Sequence, residues 1–317
     1  MDKSNIKLIF FGTNEFAVPV LEALVKEGYD IVGVITEPNK PVGRNQTLTP
    51  PPVKLKAQNE KLKVFQPKNK LEIKNLISEL PASTDVGVVV YYGKIIPQEM
   101  VDFPKRGLLN IHPSLLPKYR GASPIQTAIL NGDVETGVTI MKIDDLMDHG
   151  EIITSVDYQV SSKDYHFKIY EDLTELGTKL LIKILPEYLS EGIKLIPQKH
   201  DKATYTKKFK LEDGEIKPDD KAKDAYNKIR AFNPEPGAYW KLSNNKILKI
   251  LEATLDLETN INKTGLTRIN KNPLSSTQGR PALALKGGVL ILDKVKPESK
   301  KAMSGKDFMN GHAQLFK

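Results

Sequence analysis

The sequence predicts an α/β chain: a doubly wound, mostly parallel sheet over the first two thirds, followed by a small β-barrel or sandwich. Three observations predict it. Apolar strand-length runs alternate with segments of helical periodicity up to about residue 190. Short strand candidates crowd the stretch after residue 236. The charge also divides at a boundary between the two: residues 1–205 hold 25 Lys and Arg against 26 Asp and Glu, whereas residues 206–317 hold 22 against 13, so the net +8 of the 317-residue chain lies in its last third. Two domains, 1–205 and 206–317, follow, in keeping with roughly 150 residues per domain.

The elements can be justified in order. "IKLIFFG" reads as a buried strand ending at Gly12, and Ala17, Val20, Leu21 and Leu24 then recur at helical spacing before Gly28 offers a stop. "YDIVGVIT" is a second strand. The sixteen residues "EPNKPVGRNQTLTPPP" after it carry five prolines and no periodicity, and loops of that length inside compact domains are usually functional or disordered. "PVKLKAQNEKL" predicts a helix, "KVFQP" a short strand, "KLEIKNLISEL" a helix and "TDVGVVVYYG" a buried strand. "GLLN" predicts another strand and "SPIQTAIL" a helix. "VTIMKIDDLMDHGEII" predicts a strand, a polar turn and a returning strand, and "YHFKIYEDLTELGTKLLIKILPEYL" a long amphipathic helix. "IPQKHDKATYTKKF" reads as a polar, Lys-rich linker. "DDKAKDAYNKIRAF" then predicts a helix, and "GAYWKL", "KILKILEATL", "PALALKG" and "GVLILDKVKP" short strands, with 260–278 as a loop.

Composition excludes several chemistries. With no Cys there is no disulfide, thiolate nucleophile or sulfur-built zinc site, and the five His, at 112, 149, 166, 200 and 312, lack metal-ligand spacing. No apolar run approaches the roughly 20 residues of a membrane span, and "MDKSNIKLIFFGT" is too short an apolar block for a signal peptide, so a cytoplasmic protein is expected. "GTNEF" lacks G-x-G-x-x-G, which argues against a nicotinamide cofactor. The basic last third reads either as solvated surface or as a footprint for a polyanion such as nucleic acid.

In a doubly wound sheet, ligands bind outside the carboxyl ends of the strands, which draws attention to Gly12-Thr13, Tyr92-Gly93 and Asn110-Ile111-His112. Asn110 and His112 point from the same side of an extended chain. For an isolated N-x-H, a capped strand end with a satisfied histidine is the plainer reading. The turn "KIDDLMDHG" changes the balance, because one of its carboxylates, Asp144, Asp145 or Asp148, could reach the neighbouring strand end. A carboxylate fixes an imidazole's tautomer and an Asn amide can bond a developing oxyanion, so the three groups suit acyl transfer to an amine. Without Cys or G-x-S-x-G, direct transfer is simpler than a covalent enzyme intermediate.

"NIHPSLLPKYRGASPIQTAILNGD" and "GVTIMKIDDLMDHGEI", with "FFGTNEFAV", "TEPNKPVGR", "VVVYYGKIIP" and "RAFNPEPGAYW", closely resemble the folate-dependent formyltransferases over nearly the whole chain. The resemblance implies a Rossmann-like catalytic domain followed by an OB-like barrel. It implies catalytic Asn110, His112 and Asp148, a folate-binding turn at Ser114, Leu115, Leu116 and Pro117, and a tRNA-contacting loop at about 37–50 with Arg44 as its motif arginine. It also implies 10-formyltetrahydrofolate as donor and the α-amino group of methionyl initiator tRNA as acceptor; no metal, no membrane, no protein partner and a monomeric enzyme are expected beside it. The sequence departs from the family where the familiar A-Y-G reads Tyr91-Tyr92-Gly93 and where Lys94 replaces an apolar residue. Two rival readings stand beside it: a sister enzyme formylating a sugar-nucleotide or other small amine, and a non-catalytic nucleic-acid-binding protein on an enzyme-like scaffold.

Overall fold

The structure is a computed structural model that describes residues 2–43, 45–259, 261, 263–269 and 279–316. The chain forms two compact units. The first comprises Met1–Pro124, Glu135–Gln159 and Tyr170–Thr206; the second comprises Ile125–Val134, Val160–Ile169 and Lys207–Lys317.

The first unit is built on β1 (Lys7–Gly12), β2 (Asp30–Ile35), the short β3 (Lys40–Val42) and β4 (Thr47–Thr49), β5 (Val64–Phe65), β6 (Val86–Val90), β7 (Leu108–His112), β8 (Arg120–Gly121), β9 (Glu135–Lys142), β10 (Ile152–Gln159) and β11 (Tyr205–Thr206). Seven of them make one sheet in the order β10-β9-β7-β6-β1-β2-β5. The run from β7 to β5 is parallel, and β9 and β10 extend it antiparallel beyond β7. The sheet is mostly parallel because α1 (Val18–Lys26), α2 (Pro52–Asn59), α3 (Lys70–Asn75) and α4 (Gln98–Val101) supply crossovers. Apolar runs follow: every residue of β6 is buried, and Leu8, Ile9, Phe10 and Phe11 of β1 are fully so. Each such side chain contributes about 1.5–3 kcal/mol. From β1 the chain builds outward through β2 and β5, then returns to the opposite side of β1 for β6 and β7, so the order reverses at β1 and β6. The parallel strands deliver their carboxyl ends to one side.

Two stretches differ from the sequence expectation here. The proline-rich loop contains a hairpin, with Lys40↔Thr49, Pro41↔Leu48 and Val42↔Thr47 paired antiparallel. Three-residue strands are too short to show a period of two. The Lys-rich "linker" is tied into the first unit: Ile196 bridges Ile152, Gln198 is 5% exposed, and β11 pairs in parallel with β8. Its lysines are exposed while Gln198 alone of its polar residues is buried, a difference composition does not reveal.

Two helices have residues in both units: α5 (Pro124–Asn131) and the 24-residue α6 (His166–Leu189). The second unit adds β12 (Glu215–Ile216), α7 (Ala222–Phe232), β13 (Ala238–Lys241), β14 (Ile247–Asp256), β15 (Gly265–Ile269), β16 (Arg280–Leu285), β17 (Gly288–Pro297), β18 (Met303–Ser304) and α8 (Gly305–Gly311). Its curled half-barrel sheet has the order β12-β13-β14-β17-β16-β15, with β18 on β17. Ile229 and Ala225 of α7 and Phe308 of α8 join Leu248, Ile250, Leu283 and Leu290 in its core. The expected 260–278 loop contains a strand, β15, paired with β16 through Leu266↔Leu283 and Arg268↔Pro281. Residues 270–278 lie outside the described ones. The helix α8, capped by the Ser304 hydroxyl accepting from Asp307 N at 3.0 Å, was not expected from sequence.

Candidate active site

Asn110 and His112 stand at the carboxyl end of β7, with one residue between them, so both side chains leave the same face. The strand is paired on both sides, Val89↔Asn110 to β6 and His112↔Thr139 to β9, which fixes the two Cα positions. His112 is only 3% exposed. The chain then turns through residues 113–118, a turn held from within: the Ser114 hydroxyl donates to Lys118 O at 2.6 Å, and Thr139 Oγ1 donates to Ser114 O at 2.7 Å while accepting from Leu116 N at 3.1 Å. Ser114 and Leu116 are buried in this way, leaving Leu115 and Pro117 partly exposed.

The carboxylate arrives from the β9–β10 connection. Of its three acids, Asp145 is exposed, and Asp144 is occupied by His149 Nδ1 at 2.6 Å and by Leu146 N at 3.1 Å. Asp148 is the one that reaches β7. Its Oδ1 lies 3.5 Å from Asn110 Nδ2 and 3.6 Å from His112 Nδ1, and its Oδ2 accepts from Gly121 N at 2.7 Å. Two glycines make this approach possible. A Cβ on Gly150 would sit 1.9 Å from Lys142 O, closing the turn. Gly121 holds φ +106, and a Cβ there would meet Thr206 O at 2.9 Å in the β8–β11 pair that presents its N–H.

The hydrogen bonds also assign the His112 nitrogens. Nε2 lies 3.0 Å from Tyr119 O, an oxygen that can only accept, so Nε2 carries a proton. In the neutral ring Nδ1 is then unprotonated, and it is the nitrogen facing Asp148. When the ring gains a proton, Nδ1–H points at a carboxylate, which offsets the new charge.

Several participants were not singled out in the sequence. Tyr119 O and Gly121 N lie inside the long motif but act through backbone atoms, which a residue pattern does not display. Gln198, in the supposed linker, donates through Nε2 to Asp148 O at 3.0 Å and to Gly150 O at 2.7 Å. Arg120 and Thr204 join the same wall, with Thr204 Oγ1 accepting from Tyr119 N at 2.8 Å. His200 stacks on His149 with ring centroids 4.0 Å apart, and desolvation, then His149 and Arg120, hold its imidazole below the ordinary histidine range. Tyr91 stacks on Tyr170 at 4.7 Å and meets the edge of Phe16 at 6.3 Å. Burial pushes its hydroxyl up to about 12, offset in part by hydrogen bonds with Thr174 and Tyr170. Lys94 donates to Pro67 O and Lys68 O at 2.6 and 2.9 Å. Arg44 lies outside the described residues. Among the described residues no cluster of three or more His, Asp or Glu is placed to hold a metal ion, and no helix is long and apolar enough to cross a membrane.

Known proteins resemble this chain along nearly its whole length. The formyl transferase family matches residues 5–185, and the family described as formyl transferase, C-terminal domain, matches residues 208–313. The methionyl-tRNA formyltransferase of Bacillus pumilus is 36% identical over 307 residues, covering 96% of this chain and 94% of that one. That of Chloroflexus aurantiacus is 39% identical over 309 residues, covering 96% and 97%. Among solved structures, an N-formyltransferase from Helicobacter canadensis in complex with folinic acid and dTDP-3-aminofucose superposes with a TM-score of 0.68 at 24% identity, covering 90% of this chain and 98% of that one. HypX from Aquifex aeolicus, in complex with tetrahydrofolic acid, does so with 0.66 at 16% identity, covering 98% and 48%. At those identities the two structures bear on the fold alone.

Proposed function

The chain belongs to the formyl transferase family, and from that premise we propose that it transfers the formyl group of 10-formyltetrahydrofolate to the α-amino group of methionyl initiator tRNA. The observation that carries the reading is the convergence of the Asp148 carboxylate on Asn110 and His112, at 3.5 and 3.6 Å, in a chain similar to methionyl-tRNA formyltransferases over nearly its whole length. Residues 1–205 carry the chemistry. Residues 206–317, with 22 basic against 13 acidic residues, and the loop at 37–50 with Arg44 meet the tRNA. The enzyme acts as a monomer in the cytoplasm, where charged tRNA is found.

The geometry supports a division of labour. The incoming amine attacks the formyl carbon, and the Asn110 amide donates to the oxygen on which negative charge develops. His112 takes a proton from the amine on Nδ1, since Nε2–H is committed to Tyr119 O. Asp148 stabilises the imidazolium so formed, and the proton passes from this pair to the departing nitrogen of the donor. The turn at Ser114, Leu115, Leu116 and Pro117 suits the folate. Its Ser114 hydroxyl is spent on Lys118 O, while apolar Leu115 and Pro117 stay partly exposed and suit a flat heterocycle.

The test is to incubate the protein with 10-formyltetrahydrofolate and methionyl initiator tRNA, and in parallel with an amino-sugar nucleotide, then to measure formylmethionine on the tRNA and formylated sugar. Formylmethionine on tRNA with an unmodified sugar is the expected result. Formylation of the sugar alone would select the sister activity, and tRNA binding without formyl transfer a non-catalytic protein.

A further inference from the structure

Arg120 is the largest fully buried side chain among the described residues, 1% exposed. A buried cation is costly unless it is paired, yet among the described residues this one has no carboxylate partner. Its Nε and Nη2 donate to Gln198 Oε1 at 3.2 and 2.7 Å, Nη2 also approaches His200 Nδ1 at 2.9 Å, and Nη1 donates to Tyr205 OH at 3.3 Å. Two donors converging on one amide oxygen leave Gln198 a single orientation. The two hydrogens of its Nε2 then point the other way, one to Asp148 O and one to Gly150 O. Every polar atom of the Gln198 side chain is thereby satisfied.

The residue so gripped is Asp148, whose φ of +50 lies in the left-handed region that side chains other than glycine rarely adopt. Such a conformation persists only where its surroundings over-determine it. We propose that Arg120 and Gln198 are positioning residues: the buried guanidinium orients the Gln198 amide, and the amide clamps the Asp148 turn so that its carboxylate meets Asn110, His112 and Gly121 N–H. This rests on the reading that Asp148 serves formyl transfer. The clamp touches only backbone atoms of the turn, so its loss misplaces the carboxylate without removing it, and a misplacement of about 1 Å costs on the order of 10² in rate.

The experiment is a double-mutant cycle in formyl transfer to methionyl initiator tRNA, with kcat, both KM values and the thermal midpoint read for each variant. Asp148→Asn is measured first; near-wild-type kcat there would remove the site reading, and the proposal with it. Gln198→Met in the otherwise native chain is expected to lower kcat by about 10–10² while both KM values stay within about threefold. In the Asp148→Asn background the same substitution is expected to cost less than about threefold more, because the groups act as a unit. Arg120→Lys keeps the buried charge but not the two-donor fork, is expected to follow Gln198→Met, and carries the comparison should Gln198→Met not fold. Equal losses of kcat in both backgrounds, or wild-type kcat in Gln198→Met, would overturn the proposal.

Discussion

The corner at the end of β7 and the hairpin of β3 and β4 belong to the same unit, and they are built on opposite principles. In the corner, His112 is tied to Tyr119 O, Asp148 Oδ2 to Gly121 N, and the Asp148 carbonyl to Gln198, with His112, Gln198 and Arg120 buried. In the hairpin, all six strand residues are exposed, Val42 by 55% and Leu48 by 64%, and the turn is held by contacts such as Gln46 Nε2 donating to Gly43 O at 3.0 Å. A two-stranded hairpin is marginal alone in water. The contrast suits the two tasks proposed for them. Stabilising charge in a transition state needs donors fixed beforehand, whereas gripping a large polyanion needs reach and accessible surface.

That contrast can be broken at either end. Asp148→Asn keeps the shape of the corner but removes its charge, and is expected to lower kcat by about 10²–10⁴ with tRNA affinity unchanged, read by steady-state kinetics beside filter binding. Gly150→Ala forces a Cβ against Lys142 O, so the turn must move; a loss of about 10² in kcat and a lower thermal midpoint are expected. Gly43→Ala is the counterpart in the hairpin: the added Cβ meets nothing within 4 Å but the residue holds φ +73, so the hairpin is strained and the corner is not, and kcat at saturating tRNA should stay as it was. Arg44→Ala is expected to weaken tRNA binding and to reduce the slope of log affinity against log salt by about 1, with kcat at saturating tRNA little changed. An unchanged slope would take this arginine off the phosphate backbone.

How much of this was legible in the sequence depends on what each part is made of. The sheet was legible because β1, β2 and β6 are continuous apolar runs, and the candidate corner because Asn110, His112 and an acid of the Asp144–Asp148 turn meet through side chains that a residue pattern can display, though only the family resemblance singled out Asp148. The hairpin was not, since three-residue strands carry no periodicity. Nor was β15, where "GLTRI" sits between polar stretches and gains its place by pairing with β16 and burying Ile269. The braces of the corner were the hardest. Tyr119 and Gly121 contribute backbone atoms, and Gln198 is a single amide in a Lys-rich stretch whose partner Arg120 lies 78 residues earlier. Contacts of that span arise from tertiary folding and leave no local signal.

The most direct test of the account is a rapid-quench single turnover of formyl transfer by Asn110→Ala with methionyl initiator tRNA at saturation. The expected rate constant is lower by about 10²–10³ with tRNA affinity retained, because one prearranged oxyanion donor has been removed. A rate constant within about threefold of the native one, or a loss that more tRNA restores, would contradict it.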